Sequence, residues 1–278
     1  MKPQLPKLEE ASFLALEREL DVAHGVQQLL LPKGSPACNW SCIGVKNRMA
    51  QRVGGDFFDF VTLPDGSLLL FLGDVTGHGI QASLVMGLLL GYLHRSGLED
   101  SSPLRMAREV NDFLWHFARR SEELDHFFST TLFLAVIEPR DLTMRYLNAG
   151  QVAPLICRNR QLTRLDPTGQ PLGFFAEPDL SLRTFQLQRH DRLLLYTDGI
   201  VEAGNASGEL FGQERLERLL VSDACDHLAF LDTLFGELRR FGVSEPPLDD
   251  CTAIVMDLNG PFAWSADAGE SLPKTEST

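Results

Sequence analysis

Four aspartates have the residue type and the setting to do chemistry together. Each adjoins an apolar segment and has a glycine or a second aspartate nearby; they are Asp56, Asp74, Asp198 and Asp249, the last followed directly by Asp250. One such aspartate is normally a turn former or a helix cap. If the adjoining segments are neighbouring strands, the carboxylates converge, and a pair about 4 Å apart repels by several kcal/mol at intermediate dielectric. Hard divalent cations such as Mg²⁺ or Mn²⁺ relieve that repulsion, and two of them can acidify a water that attacks a phosphate ester.

The elements that must position these aspartates follow from the hydrophobic pattern. A turn at residues 64–66 (PDG) joins two apolar segments and predicts a β-hairpin, with Asp56 before its first strand and Asp74 after its second. We predict strands at 57–63, 67–72, 130–137, 143–148, 154–158, 161–165, 181–188, 192–196 and 252–258, and helices at 80–95, 103–120, 213–221 and 226–241. Connections between most consecutive strands are too short for crossover helices, so the pairing is expected to be mainly antiparallel. Strands interleaved with helix pairs indicate a layered α+β domain.

A separate helix is expected at residues 7–31, ended by Pro32. Its side chains recur at steps of three and four in a seam: Phe13, Leu16, Leu20, Ala23, Gln27 and Leu30. Such a helix either packs on its own domain or pairs with a second copy and transmits a signal, and the seam is too short to decide. We divide the chain into a helical segment at 1–34, a domain at 35–258 and a polar tail at 259–278 that is predicted to be disordered.

Composition argues against several classes of protein. The 278 residues carry 25 Lys and Arg against 38 Asp and Glu, a formal net charge of −13, so a nucleic-acid-binding surface is not expected. We find no stretch of about 20 apolar residues that would span a membrane, and we expect no secretion signal. The cysteines are scattered (Cys38, Cys42, Cys157, Cys225 and Cys251), and only the first two have the spacing of a zinc-ligand pair. We interpret all five as reduced thiols of a cytoplasmic protein.

Five short motifs occur in an order that resembles one known family. They are residues 53–59 (VGGDFFD), 73–79 (GDVTGHG), 148–150 (NAG), 196–203 (YTDGIVEA) and 249–252 (DDCT). Together they resemble the PP2C-like metal-dependent protein phosphatases of bacteria, in the branch of the sporulation stage II E and sigma-B regulator phosphatases. The likeness extends over about residues 20–258. It implies an α-β-β-α sandwich, two central Mn²⁺ or Mg²⁺ ions, and hydrolysis of phosphoserine or phosphothreonine in a protein.

The resemblance also implies roles for individual residues. Asp74 would bridge both metal ions, and the carbonyl of Val75 would join it. Asp56 would bind one ion, whereas Asp198 and Asp249 would bind the other. The four aspartates are therefore the predicted catalytic set.

Four further side chains have roles that the sequence leaves open. Asp250 is the alternative to Asp249, because adjacent side chains of a strand point in opposite directions and only the register decides. His78 invites a role as general acid for the leaving alkoxide, since histidine titrates near neutrality; the alternative is that it only begins the next helix. Asp59 and Glu202 either support the metal ligands or are surface carboxylates.

Two positions depart from the family pattern. Many relatives have Arg-Glu directly before VGGD, where the arginine is available to substrate phosphate, whereas this chain has Gln51 and Arg52. Phosphate would then be bound by Arg52, by Arg48 or by the metals alone. The motif that often reads NAGH continues here with Gln151. Neither change removes a carboxylate, so an active enzyme is expected.

The family's usual substrate gives an expectation for the partner. It is a phosphorylated anti-sigma-factor antagonist, a small single-domain protein of the STAS type in a partner-switching pathway. One alternative is a catalytically silent, phosphatase-like module that regulates a partner through its helices. Another is an enzyme that acts on a small phosphate ester. The presence of all four aspartates favours the active protein phosphatase.

Overall fold

The computed structural model describes residues 7–32, 34, 38–99, 102–120 and 128–259. The helices are α1 (Lys7–Leu30), α2 (Gly79–Glu99), α3 (Pro103–Arg120), α4 (Asp198–Val201), α5 (Gln213–Ser222) and α6 (His227–Phe241). The strands are β1 (Ser41–Arg48), β2 (Asp56–Thr62), β3 (Leu68–Val75), β4 (Thr130–Ile137), β5 (Thr143–Ala149), β6 (Leu155–Arg158), β7 (Gln161–Arg164), β8 (Arg183–Gln186), β9 (Arg192–Tyr196) and β10 (Cys251–Leu258). None of these helices is both long enough and apolar enough to cross a membrane. Apart from Asn259, the tail predicted to be disordered lies outside the described residues.

The strands form two sheets. The first, five-stranded, has the order β1-β10-β9-β6-β7, and the second, also five-stranded, has the order β2-β3-β4-β5-β8. All of these neighbours pair antiparallel. Helices α2 and α3 contact the second sheet, whereas α5 and α6 contact the first. The predicted α-β-β-α sandwich with an N-terminal helix is therefore confirmed.

The first sheet divides the apolar interior into two layers. Successive residues of a strand point to opposite faces. Along β9, Leu193 and Leu195 pack between the two sheets, whereas Leu194 and Tyr196 pack with α5 and α6. A slip of one residue would exchange these faces, so packing on both sides fixes the register. The loops that carry Asp198 after β9 and Asp249 before β10 are thereby held in place.

The predicted hairpin is present and brings two of the aspartates opposite each other. In its turn, the N–H of Leu63 donates to the carbonyl of Ser67 (2.8 Å), and Gly66 has a φ of 87°, a conformation that favours glycine. The register of β2 and β3 pairs Asp56 with Asp74. Convergence of these two carboxylates at one sheet edge is thus a direct result of the hairpin.

Three elements differ from the prediction. Strand β1 was not predicted, because its sequence becomes polar from Lys46 to Arg48 and its pairing with β10 is remote in sequence. The predicted strand at 181–188 is reduced to β8. The single turn α4, which begins at Asp198, was also not predicted.

Helix α1 packs against α2 with one side only. The inward side carries Leu20, His24, Gln27 and, directly after the helix, Leu31. The rest of the helix exposes apolar side chains: Phe13, Leu14, Leu16, Val22, Val26, Leu29 and Leu30. The predicted seam is therefore divided, with Leu20 and Gln27 facing the domain and Leu16 exposed. The helix packs on its own domain and still has apolar surface left over.

Candidate metal centre

Asp56 is the most deeply buried of the four aspartates, with 1% of its surface exposed. Its Oδ2 accepts hydrogen bonds from the hydroxyls of Thr252 (2.5 Å) and Thr197 (3.0 Å). Its Oδ1 is buried and has no hydrogen-bond partner among the described residues. Burial, with the charges of Asp74 and Asp250, raises the pKa of Asp56 well above its usual range. A buried carboxylate oxygen without a partner is rare in proteins, and a cation would satisfy it.

Asp74 lies close to the carboxylates of the loops that follow β9 and precede β10. Burial raises the pKa of Asp74 to about 8, and the charges of Asp198, Asp249 and Asp250 contribute in the same direction. Like charges have this effect only at short range. The structure therefore brings the aspartates after β9 and before β10 to the edge where the hairpin places Asp74.

The backbone around Gly55 keeps two oxygens accessible beside this cluster. A Cβ atom on Gly55 would lie 2.6 Å from the carbonyl oxygen of Val75 and 3.1 Å from Asp74 Oδ1. No side chain fits there, so glycine is required by the close approach of the two strands. The Val75 carbonyl and the Asp74 carboxylate thus border the same space, as expected for two oxygens that serve one cation.

Asp198 and its neighbours form the outer part of the cluster. Burial raises the pKa of Asp198, and the charges of Asp249 and Glu202 add to this effect. Glu202 is exposed and ends the turn that Asp198 begins, with its N–H donating to the Asp198 carbonyl (2.8 Å). Glu202 therefore acts on the cluster as a nearby charge on the surface.

Asp249 and Asp250 have different environments. The Oδ1 and Oδ2 atoms of Asp250 accept the N–H groups of Ala50 and Gly55, each at 2.8 Å, and the residue is only 6% exposed. Asp249 is exposed, and its Oδ1 accepts the N–H of Asp250 (2.8 Å). Asp250 thus holds the loop that leads to β2, whereas one Asp249 oxygen makes a hydrogen bond within its own loop.

Helix α1 is joined to the same loop by a pair of hydrogen bonds. Gln27 Nε2 donates to the carbonyl of Gly54 (2.8 Å), and Gln27 Oε1 accepts its N–H (3.1 Å). A Cβ on Gly54 would lie 2.0 Å from Asp250 Oδ2, so the loop also depends on glycine here. The sequence indicated Gln27 only as a polar residue in an apolar seam, and a buried polar residue on a helix face was the available signal.

His78 and Gln51 line a groove beside the cluster. Gln51 Nε2 lies 2.7 Å from His78 Nδ1. An amide nitrogen can only donate, so the tautomer that fits this contact accepts at Nδ1 and carries a proton on Nε2. The groove has a volume of about 1060 Å³ and runs between α1, residues 47–53 and the start of α2. None of the four aspartates is among the described residues that line it. Ala50, whose N–H donates to Asp250, does line it, so the groove borders the cluster.

The two candidate arginines are placed differently. Arg52 forms an ion pair with Asp21 of α1 and lines the groove. Arg48 pairs with Glu245 (2.8 Å) and its guanidinium lies 5.3 Å from the ring centre of Phe235. Only Arg52 of this pair therefore borders the same groove as His78.

Two other candidates make contacts of their own. Asp59 Oδ2 lies 2.6 Å from Nδ1 of His94 on α2, so this carboxylate joins a helix to the sheet. Gln151 is buried; its N–H donates to Asn148 Oδ1 (2.8 Å), and its Oε1 accepts the N–H of Val152 (2.8 Å). Gln151 shapes the turn after β5.

The residues that hold the aspartates were not predicted from the sequence. Thr197 and Thr252 bind Asp56 and stand inside the motifs YTDG and DDCT, so a hydroxyl next to each acidic motif was the available signal. Asn47, which contacts Thr252, had no local signal. Among the described residues, no three acidic, histidine or cysteine side chains lie close enough together to hold a metal ion as they stand.

Proteins of known family resemble this chain. The family described as Stage II sporulation protein E (SpoIIE) matches residues 64–259. Protein IcfG of Synechocystis sp. is 26% identical over 268 residues, which cover 87% of this chain and 42% of IcfG. Phosphoserine phosphatase RsbP of Bacillus subtilis is 26% identical over 192 residues, or 68% of this chain and 46% of RsbP. The chain thus spans less than half the length of these two relatives. Phosphoserine phosphatase RsbU of the same organism is 25% identical, with 87% of this chain and 70% of RsbU covered.

Solved structures show the same architecture. The SiaA-PP2C domain of Pseudomonas aeruginosa has a TM-score of 0.73 at 18% identity, covering 91% of this chain and 99% of that one. The RsbU and RsbW domains of Rv1364c from Mycobacterium tuberculosis give 0.67 at 24% identity, covering 84% and 64%. At these identities the likeness establishes the fold alone.

Proposed function

The chain belongs to the stage II sporulation protein E family of PP2C-type phosphatases, and from this premise we propose that it is a metal-dependent serine/threonine protein phosphatase. The observation that carries the proposal is the buried Oδ1 of Asp56, which has no hydrogen-bond partner among the described residues, within a group whose charges help to raise the pKa of Asp56, Asp74 and Asp198. These donors are hard oxygens, which suit Mn²⁺ or Mg²⁺.

The metal ligands that we propose are Asp56, Asp74, the Val75 carbonyl, Asp198 and Asp249. Two bound divalent ions would supply charge neutralisation for the phosphate and would lower the pKa of a water. The chain itself holds these ligands in position. Asp250, for example, fixes the loop before Asp56 by accepting two backbone N–H groups.

We propose that His78 is the general acid for the leaving serine or threonine oxygen. Gln51 contacts Nδ1 of the ring, so Nε2 is the nitrogen left to face the substrate. The protonated ring would give its Nε2 proton to that oxygen as the bond to phosphorus breaks, and the ring would be left neutral. Arg52 lines the same groove and is the side chain that we propose for contact with the phosphoprotein.

The proposed substrate is a phosphorylated anti-sigma-factor antagonist of the STAS type, in a cytoplasmic partner-switching pathway. Two relatives, RsbP and RsbU, are named phosphoserine phosphatases, which supports a phosphoserine in a regulatory protein. A cluster of oxygen ligands beside an open groove also suits a phosphate presented on a protein surface.

Removal of divalent metal is expected to abolish the activity. The protein is incubated with phosphorylated antagonists and loss of phosphate is followed by mass; turnover should fall to background after chelation and return with Mn²⁺ or Mg²⁺. Full turnover in chelator would contradict the metal mechanism. Hydrolysis of small esters without any phosphoprotein turnover would favour the small-ester alternative, and no hydrolysis of either would favour the silent module.

We also propose that two copies pair through α1. Its outward residues Val22, Val26 and Leu29 are all more than half exposed, and Leu30 lies beside Gly87 of α2, next to exposed Leu88. Burial of these exposed apolar side chains in an interface would favour association.

The double substitution Val22→Asp and Val26→Asp is expected to give a monomer with reduced phosphatase activity. Wild type is expected to be a dimer at micromolar concentration, and light scattering measures both. Leu20, from the predicted seam, is unsuitable because it lines the groove. Leu228→Asp, an exposed leucine on α6 in the opposite layer, is the control and should remain dimeric. A monomeric wild type would leave α1 with its packing role alone.

A further inference from the structure

Asn47, Thr252 and Asp56 form a chain of hydrogen bonds that links the two sheets. Asn47 Nδ2 donates to Thr252 Oγ1 (2.7 Å), and Thr252 Oγ1 donates to Asp56 Oδ2 (2.5 Å). Asn47 and Thr252 are register partners on β1 and β10 of the first sheet, whereas Asp56 begins β2 of the second. The chain therefore crosses the sandwich at the edge where the aspartates meet.

The donors fix the direction of this chain. A threonine hydroxyl has one proton, and because the Asn47 amide donates to the Thr252 oxygen, that proton is left for Asp56. Thr197 differs. Its hydroxyl accepts the N–H of Thr252 (3.0 Å), and its one proton is shared between Asp56 Oδ2 (3.0 Å) and the Asp250 carbonyl (3.2 Å). Thr252 therefore donates its one hydroxyl proton to Asp56 alone, because the Asn47 amide donates to the Thr252 oxygen.

The consequence is an asymmetric carboxylate. Oδ2 is held by hydroxyl donors, and Oδ1 is buried without a partner in the described part of the chain. We propose that Asn47 and Thr252 are positioning residues that hold Asp56 so that Oδ1 is presented to a divalent cation. This inference rests on the proposed function, in which Asp56 is a metal ligand.

The test measures Mn²⁺ affinity of the full chain without substrate, by electron paramagnetic resonance of the free ion during titration. Asn47→Ala and Thr252→Val are expected to weaken binding by about 10–100-fold, the usual effect of losing a partner of a metal ligand. Thr252→Ser keeps the hydroxyl and should bind within a few-fold of wild type. Thr168→Val is the matched control, since Thr168 is buried and its hydroxyl accepts the N–H of Asn148 instead (2.9 Å).

Unfolding temperatures in chelator separate positioning from general stability. Asn47 lies at a half-buried position, so Asn47→Ala should lose affinity while its unfolding temperature stays close to that of the control. Wild-type affinity in both Asn47→Ala and Thr252→Val would overturn the proposal, as would equal losses in Thr252→Ser and Thr252→Val. A loss shared by Thr168→Val would also overturn it. If wild type itself bound no Mn²⁺, the proposed metal-dependent function would fail with it, which the other outcomes do not imply.

Discussion

Replacing Asp249 with asparagine is expected to reduce phosphatase turnover by orders of magnitude while the fold is retained. Asp249 is exposed, and its charge raises the pKa of both Asp74 and Asp198, so it lies near the two residues with which it would share the ions. Asparagine has almost the same shape but no charge, and the exposed position tolerates it. Steady-state turnover of a phosphorylated antagonist at saturating Mn²⁺ is the measurement.

Asp250→Asn is the matched variant and should behave differently. Both of its oxygens accept backbone N–H groups, and an asparagine must turn an NH₂ group towards one of these donors. Leaving a buried donor unsatisfied costs about 1–3 kcal/mol, so this variant should lose stability while turnover changes only several-fold. The reverse ranking of the two variants in turnover would show that Asp250 is the ligand and that the strand register in our proposal is off by one residue.

Asp74→Asn is expected to abolish turnover and, at the same time, to stabilise the metal-free protein at pH 8. The pKa of Asp74 is raised from 3.8 to about 8 in the folded protein. A raised pKa means that the carboxyl favours the folded state below pH 4, and this contribution is lost as the pH rises through 8. Asparagine does not ionise, so the stability of the variant does not fall at this position as the pH rises.

The measurement is the unfolding temperature in chelator at pH 5 and pH 8. Wild type should fall by several degrees more than the variant, because about 1 kcal/mol shifts the midpoint of a domain of this size by 2–4 °C. Mn²⁺ at pH 8 should raise the midpoint of wild type and leave that of the variant unchanged. Asp232→Asn, at an exposed ion pair with Lys46, is the control and should behave like wild type. A variant less stable than wild type in chelator at pH 8 would contradict the electrostatic account.

The parts of the fold that were predictable are those with local signals. Helix α3 begins at Pro103 and ends at Arg120, as predicted, since proline suits a first helical turn and the apolar residues recur at helical spacing. The hairpin of β2 and β3 followed from its turn. The family resemblance, carried by five motifs, is confirmed by the match over residues 64–259.

What could not be predicted depends on contacts between remote segments. Strand β1 is specified by its pairing with β10, and its own polar end conceals it. The sequence left Asp250 open as the alternative to Asp249, and the difference between their environments comes from the N–H groups of Ala50 and Gly55. The hydrophobic periodicity of a segment does not indicate such remote partners. The assignment of the metal ligands stays a prediction until the variants above are measured.

The pairing of β1 with β10 has a consequence for folding during synthesis on the ribosome. Asn47 and Thr252 are 205 residues apart, and Asp56 and Thr252 are 196 apart. Among the described strands, β1 has β10 as its sole neighbour. It therefore cannot pair until nearly the whole domain has been synthesised. Contacts of such separation form late and slowly. The nascent chain therefore lacks Thr252, the hydrogen-bond donor to Asp56, until β10 has left the exit tunnel.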